Sequence, residues 1–217
     1  MPRTVHLPRI GLIFDMDGVL ADTEPLHVRA WDIALARIDS RILTYERGHL
    51  AGMSSADIAR ELLRTFRLPL SVEELAEKKR LVYRGLIESG LAPFSGLHEE
   101  LELWRPGPLA LATSSARPET SLTLAGLGFE GWFDPVITCD DVARAKPAPD
   151  CYALAIQRLG RRPEDCVVLE DTVHGVQAAL RAGARVAAVA TSGLPKDIDG
   201  VLGVFDSTVE ALQWLRR

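Results

Sequence analysis

A chain of 217 residues, 47% hydrophobic and 25% charged, has the make-up of an ordinary globular protein, either one large domain or a core with a smaller insert. A net charge of −5 leaves no electrostatic footprint for nucleic acid; no apolar run approaches the roughly 18 residues of a membrane span, and the N-terminus lacks the hydrophobic core of a secretory signal. Cys139, Cys151 and Cys166 are widely spaced with no CxxC, and the five histidines form no HxxxH or HExxH, which excludes a disulfide framework and a zinc site and makes the cytoplasm the expected compartment.

The first predicted element is a short strand over 10–14, where Ile10, Leu12, Ile13 and Phe14 are four apolar residues in five. Asp15, Asp17 and Gly18 come at once after it, so its carboxyl end opens into a loop, where open parallel sheets keep their chemistry. An extended backbone through Met16 points both carboxylates to one side. Close carboxylates repel unless a cation neutralises them or one takes a proton, and hard oxygen donors suit Mg²⁺. Asp and Gly are also ordinary turn residues, so the pair gains weight only in the company of further polar strand ends downstream.

Residues 24–89 carry helical periodicity with almost no strand signal. A first helix puts Trp31, Leu35 and Ile38 on one face. A second runs from an N-cap at Ser54 to Phe66, ahead of Pro69, and a third opens on the capping box Ser71/Glu74 and ends near Ser89, before Gly90. From Leu91 apolar runs alternate with amphipathic helices. Strands are predicted over 109–113, 136–139, 166–169 and 185–190 and near Val204 and Phe205, with helices over 97–105, 118–127, 149–159, 172–182 and 208–217. Ser207 and Glu210 predict a second capping box at the last helix. The pattern is an α/β fold: a parallel-sheet core from residues 1–21 and 91–217, interrupted by an all-helical cap over 22–90 that sits as a lid over the strand ends.

Three further strand ends carry polar groups suited to phosphate. The second strand ends in Thr113, Ser114 and Ser115, offering hydroxyls and backbone N–H groups at a helix start, where a plain capping turn is the alternative. Lys146 lies in AKPAPD, a loop stiffened by two prolines. The fourth strand ends in Glu170 and Asp171 just before a helix. Gly126, Gly128 and Gly131 satisfy GxGxxG but come after a helix, so no nucleotide site is expected there.

The motifs FDMDGVLADTE, ATSSA, KPAPD and LEDTVHGVQAA, in this order over nearly the whole chain, resemble the haloacid dehalogenase superfamily of phosphotransferases, with a Rossmann-like core. The resemblance implies that Asp15 is the nucleophile, forming an aspartyl-phosphate, and that Asp17 is the general acid and base. It implies Mg²⁺ held by Asp15, Asp171 and the Asp17 carbonyl, with Glu170 in or just outside that shell. Thr113, the Ser114 amide and Lys146 would bind the phosphate oxygens. Dehalogenases of the superfamily lack an acid at the place of Asp17, which argues for phosphate esters, and a cis peptide is implied at Lys146–Pro147.

The insert resembles the small helical cap of the β-phosphoglucomutase-like phosphatases. His27 matches a histidine placed in the mutase near hinge and acid, although it shares a helical face with Trp31, Leu35 and Ile38 and could equally belong to the core. Lys79 interrupts an apolar stripe of Val72, Leu75, Val82 and Leu86, and aligns with a cap lysine that faces the mutase site. The cap loop AGMSSAD, with Gly52, carries Ser55 where the mutase has a phosphate-gripping arginine, and Arg117 stands where it has an asparagine. The expected activity is a phosphatase acting, as a monomer, on a small phosphorylated metabolite of the sugar or polyol kind. The alternatives are a β-phosphoglucomutase-type mutase and a non-catalytic binding protein on the same scaffold.

Overall fold

The structure, a computed structural model, describes residues 10–36, 38 and 53–217. Six strands form one parallel sheet: β1 (Gly11–Phe14), β2 (Leu109–Ala112), β3 (Val136–Ile137), β4 (Cys166–Glu170), β5 (Arg185–Val189) and β6 (Gly203–Phe205), in the order β3-β2-β1-β4-β5-β6. β1 pairs with β2 on one side and β4 on the other, so the strand order reverses beside it. That crevice is where a doubly wound sheet binds its ligands.

Burial on both faces explains why the strands read as apolar runs without alternation. Leu12, Phe14, Leu111 and Leu169 pack on one face against α4 (Leu97–Trp104), α5 (Arg117–Leu127) and α8 (Thr208–Leu215). Ile13, Ala112, Val168 and Val186 pack on the other against α6 (Asp150–Leu159) and α7 (Val173–Arg181).

Among the described residues three helices lie between β1 and α4 in the chain: α1 (Glu24–Ala36), α2 (Ser55–Phe66) and α3 (Val72–Glu88). They gather an apolar cluster of their own around Trp31, Leu35, Ala59, Leu62 and Leu75. Ser54 caps α2 by accepting the Asp57 N–H, and Ser71 and Glu74 form the full reciprocal box at α3. At α8 only half of the expected box forms. Ser207 accepts the Glu210 N–H, while the Glu210 carboxylate reaches back to the N–H of Asp206 instead of Ser207.

The third strand is shorter than expected because a single 3₁₀ turn, Cys139–Asp141, takes over at its end. Gly126 sits inside α5 and Gly128 ends that helix in the left-handed conformation, which disposes of the GxGxxG match. Among the described residues no helix is long and apolar enough to cross a membrane.

Ile13 is fully buried in the central strand. Ile13→Ala is expected to cost about 2–5 kcal/mol, as for other large-to-small core changes. A lower urea midpoint at unchanged slope would register it, and an unmoved midpoint would contradict this packing.

Candidate active site

The carboxyl ends of β1, β2 and β4 converge on one cavity of about 580 Å³, whose floor includes Asp15, Asp17, Ser114, Lys146, Glu170 and Asp171. Met16 is wholly buried in the core while Asp15 and Asp17 both line the cavity, as the alternation past β1 requires. Val28, Trp31, Met53, Ser55 and Ile58 close it from the α1 and α2 side.

Asp15, Glu170 and Asp171 are almost fully buried, and oxygens from all three lie within 4.8 Å of one another. Lys146 is the cation among them. Its ammonium donates to Asp15 Oδ1 at 2.6 Å, Glu170 Oε1 at 2.7 Å, the Tyr152 hydroxyl at 2.8 Å and the Ala112 carbonyl at 3.2 Å. The cis peptide at Lys146–Pro147 implied by the motif is present. Burial opposes the charge of Lys146, but Asp15 and Glu170 outweigh it and hold its proton more firmly than in a free lysine.

Three carboxylates facing one ammonium leave an excess of two negative charges. Burial pushes the Asp15 carboxyl well above its ordinary range; Lys146 draws it back, while Glu170, Asp171 and Asp17 push it further up. Asp171 is pushed up to about 7, by burial first and then by Glu170.

The donor set fits a hard divalent cation. Asp171 Oδ1 is buried without a hydrogen-bond partner, while Oδ2 accepts from Ser192. Glu170, in contrast, is fully engaged: Oε1 takes Lys146 and the Tyr152 hydroxyl, and Oε2 takes the N–H and hydroxyl of Thr172 at 2.8 and 3.1 Å. Two glycines leave room for these acids. Gly18 has φ +75°, and a Cβ there would lie 1.9 Å from Asp171 Oδ2; one at Gly175 would lie 1.6 Å from Glu170 Oε1.

Asp17 has the opposite electrostatics. Burial works against its charge, but the attraction of His27 and hydrogen bonds from His27 Nε2 (3.1 Å), Thr23 Oγ1 (2.5 Å) and Ser115 Oγ (3.0 Å) outweigh it. They hold the carboxyl well below the usual range. Thr113 Oγ1 accepts the Ser115 N–H at 3.0 Å, so the second motif is shaped as a tight turn.

Two candidate substrate residues point elsewhere. Lys79 has no exposed surface and does not line the cavity; it reaches His27, Ser55 and Glu119 behind the wall. Arg117 turns outward to the carboxylate of Asp141 and the carbonyl of Val136 because that acid, at the end of β3, is its nearest partner of opposite charge. Gly52 lies outside the described residues. Thr23, Ser115, Tyr152, Thr172 and Ser192 were not expected as partners of the acids. Ser192 comes after β5 and shares with the other motifs a position just past a strand end, the one signal that marks it.

The family model for haloacid dehalogenase-like hydrolases matches residues 11–183. The chain is 36% identical over 174 residues to fructose-1-phosphate phosphatase YqaB of Escherichia coli, covering 80% of this chain and 92% of that protein. It is 34% identical to hexitol phosphatase A of the same organism, with 82% of each covered. The crystal structure of CbbY from Rhodobacter sphaeroides in complex with phosphate superposes with a TM-score of 0.81 at 27% identity, over 92% of this chain and 95% of that one.

The raised Asp171 sets a pH signature. Between about pH 4 and pH 7 the folded protein keeps a proton that the unfolded chain, with an ordinary carboxyl near 3.8, has released. Stability in EDTA is therefore expected to fall as pH rises through that window. Asp17, shifted the other way, loses its stabilising share only below about pH 4. Mg²⁺ should raise the melting temperature more at pH 7.5 than at pH 5, at about 2–4 °C for each kcal/mol. Asp171→Asn should flatten the slope and abolish the Mg²⁺ response; a variant that still responds would rule out Asp171 as a ligand.

Proposed function

The chain belongs to the haloacid dehalogenase-like hydrolases, and from that premise we propose that it is a Mg²⁺-dependent phosphatase of a small sugar or polyol phosphate, working through an aspartyl-phosphate on Asp15. The observation that carries this reading is the orphaned, buried Asp171 Oδ1 beside Asp15, Asp17 and Lys146 at the floor of one cavity. The substrate class is supported by relatives named as fructose-1-phosphate and hexitol phosphatases, and by Val28 and Met53, exposed apolar side chains of the cavity wall suited to a carbon skeleton.

Asp15 attacks phosphorus: an Oδ–P bond forms as the bond from phosphorus to the alcohol oxygen breaks. Lys146, bonded to Asp15 Oδ1, fixes the carboxylate and leaves Oδ2 for attack. Thr113, the Ser114 amide and Lys146 spread the charge of the equatorial oxygens. Asp17 gives its proton to the departing alcohol, and then takes one from the water that hydrolyses the acyl-phosphate. Its depressed proton affinity belongs to the site before substrate binds, and an arriving phosphate anion raises it by like-charge repulsion. Asp15, Asp171 and the Asp17 carbonyl would hold Mg²⁺, with Glu170 just outside and engaged with Lys146, and the ion would neutralise the charge that otherwise opposes anion meeting anion.

A mutase of the β-phosphoglucomutase kind must grip a second phosphate from the cap. Against it stands Ser55, which puts a hydroxyl tied to Glu119 and Lys79 at the wall, not a free cation. With β-glucose 1-phosphate and a trace of the bisphosphate, free phosphate is the expected product. Glucose 6-phosphate would establish the mutase instead.

Asp15→Asn should abolish turnover at unchanged melting temperature, and residual turnover would refute the nucleophile. Asp17→Asn should slow alkyl phosphates by about 10² to 10⁴ and nitrophenyl phosphate much less, since a good leaving group needs no proton. Equal losses on both would remove Asp17 from the acid role.

A further inference from the structure

A second buried polar cluster lies where α1, α2 and α3 meet α5. Lys79 on α3 has no exposed surface, and Glu119 on α5 is 2% exposed. All three donors of the ammonium are used: Glu119 Oε1 at 2.9 Å, His27 Nδ1 at 2.8 Å and Ser55 Oγ at 3.1 Å. Ser55 also donates to Glu119, at 3.2 and 3.3 Å. Tyr83 stacks on the His27 ring with centroids 4.2 Å apart, and Lys79 sits 4.5 Å over the Tyr83 ring.

A buried ion pair is weak as a stabiliser, because desolvation cancels most of what the charges gain. An ammonium also has no acceptor, so the imidazole nitrogen facing it must present a lone pair. The His27 proton is thereby confined to Nε2, which lies 3.1 Å from Asp17 Oδ1.

We propose that Glu119 is a positioning residue for phosphoryl transfer: it holds Lys79 against Nδ1 of His27 and so fixes the tautomer whose Nε2–H donates to Asp17. This rests on Asp17 being the group that handles the proton. Glu119 comes after the Thr113–Ser115 turn, whereas Lys79 and His27 belong to the inserted helices, so the donor to Asp17 is complete only when those helices are seated on α5. Two more contacts continue the same seam one and two turns along. Tyr83 and Thr123 share a 3.2 Å hydrogen bond, and Gly126 admits Ile87 so closely that a Cβ would meet it at 2.6 Å.

The test separates stability from chemistry. Glu119→Gln strands Lys79 without its counter-charge and is expected to lower both melting temperature and turnover. The pair Lys79→Met with Glu119→Leu replaces charge by apolar volume and should regain the parent melting temperature. Its kcat on an alkyl phosphate should nevertheless stay down on the order of tenfold or more, with KM little changed and a smaller loss on nitrophenyl phosphate. Imidazole ¹⁵N shifts should show His27 as the pure Nε2–H form in the parent and as a mixture in the double variant. A double variant that recovers full kcat along with stability, or a parent His27 protonated on Nδ1, overturns the proposal. The NMR readout needs no turnover, so it stands apart from any failure of Asp17→Asn to behave as an acid variant.

Discussion

The excess of buried negative charge at the ends of β1 and β4 is the constraint to which the rest of the structure answers. Three carboxylates cannot all stay charged in so small and buried a volume beside one ammonium without a further cation or a bound proton. Lys146 is held in place by four acceptors or partners, with Tyr152 bracing it against Glu170. Gly18 and Gly175 are required because the acids occupy the space a side chain would take. The parallel sheet makes the arrangement possible: β1 and β4 are hydrogen-bonded neighbours, so the backbone itself sets the spacing of Asp15 from Glu170 and Asp171.

One residue further along, Asp17 lives under the reverse field. Asp15 is pushed up by burial among like charges, whereas Asp17 is surrounded by donors that pull it down. Only Met16 separates them in sequence, and its side chain is locked into the core, so the two acids cannot exchange environments. That order of proton affinities is the reverse of what a nucleophile beside a general acid needs, so under the proposed function a cation beside Asp15 and a phosphate beside Asp17 would have to invert the two. The donors to Asp17 come from three places: Thr23 at the start of the insert, His27 on α1 and Ser115 after β2.

How much a sequence reveals depends on which forces are local. Strand ends were legible because apolar runs terminate abruptly in Asp15, Thr113 and Glu170, and caps because Ser54 and Ser71 act on residues three away. Lys79 was legible as an anomaly in an apolar stripe. Its partner was not, because Glu119 lies 40 positions on and only tertiary packing of α3 against α5 brings them together. Separation in sequence likewise hid Ser192 from Asp171 and Tyr152 from Glu170. The direction of Arg117 was not legible for a related reason: the sequence says that it stands at a helix start, but not that Asp141 waits at the end of the neighbouring strand. The missing half of the Ser207 box is a small local failure, where Glu210 has two backbone N–H groups within reach and takes the earlier one.

The two buried lysines show how one residue type does different work in one chain. Lys146 lines the cavity and is shared between Asp15 and Glu170, so under the proposed function its charge would be within reach of a phosphate. Lys79 is withdrawn behind His27 and Ser55 and matched by Glu119, so its charge is cancelled before it can act on a ligand. The wall itself presents Val28, Met53, Ile58 and the Ser55 hydroxyl, which under the proposed function would face the carbon skeleton of the substrate. Glu119 acts behind that wall, through the tautomer that His27 offers to Asp17.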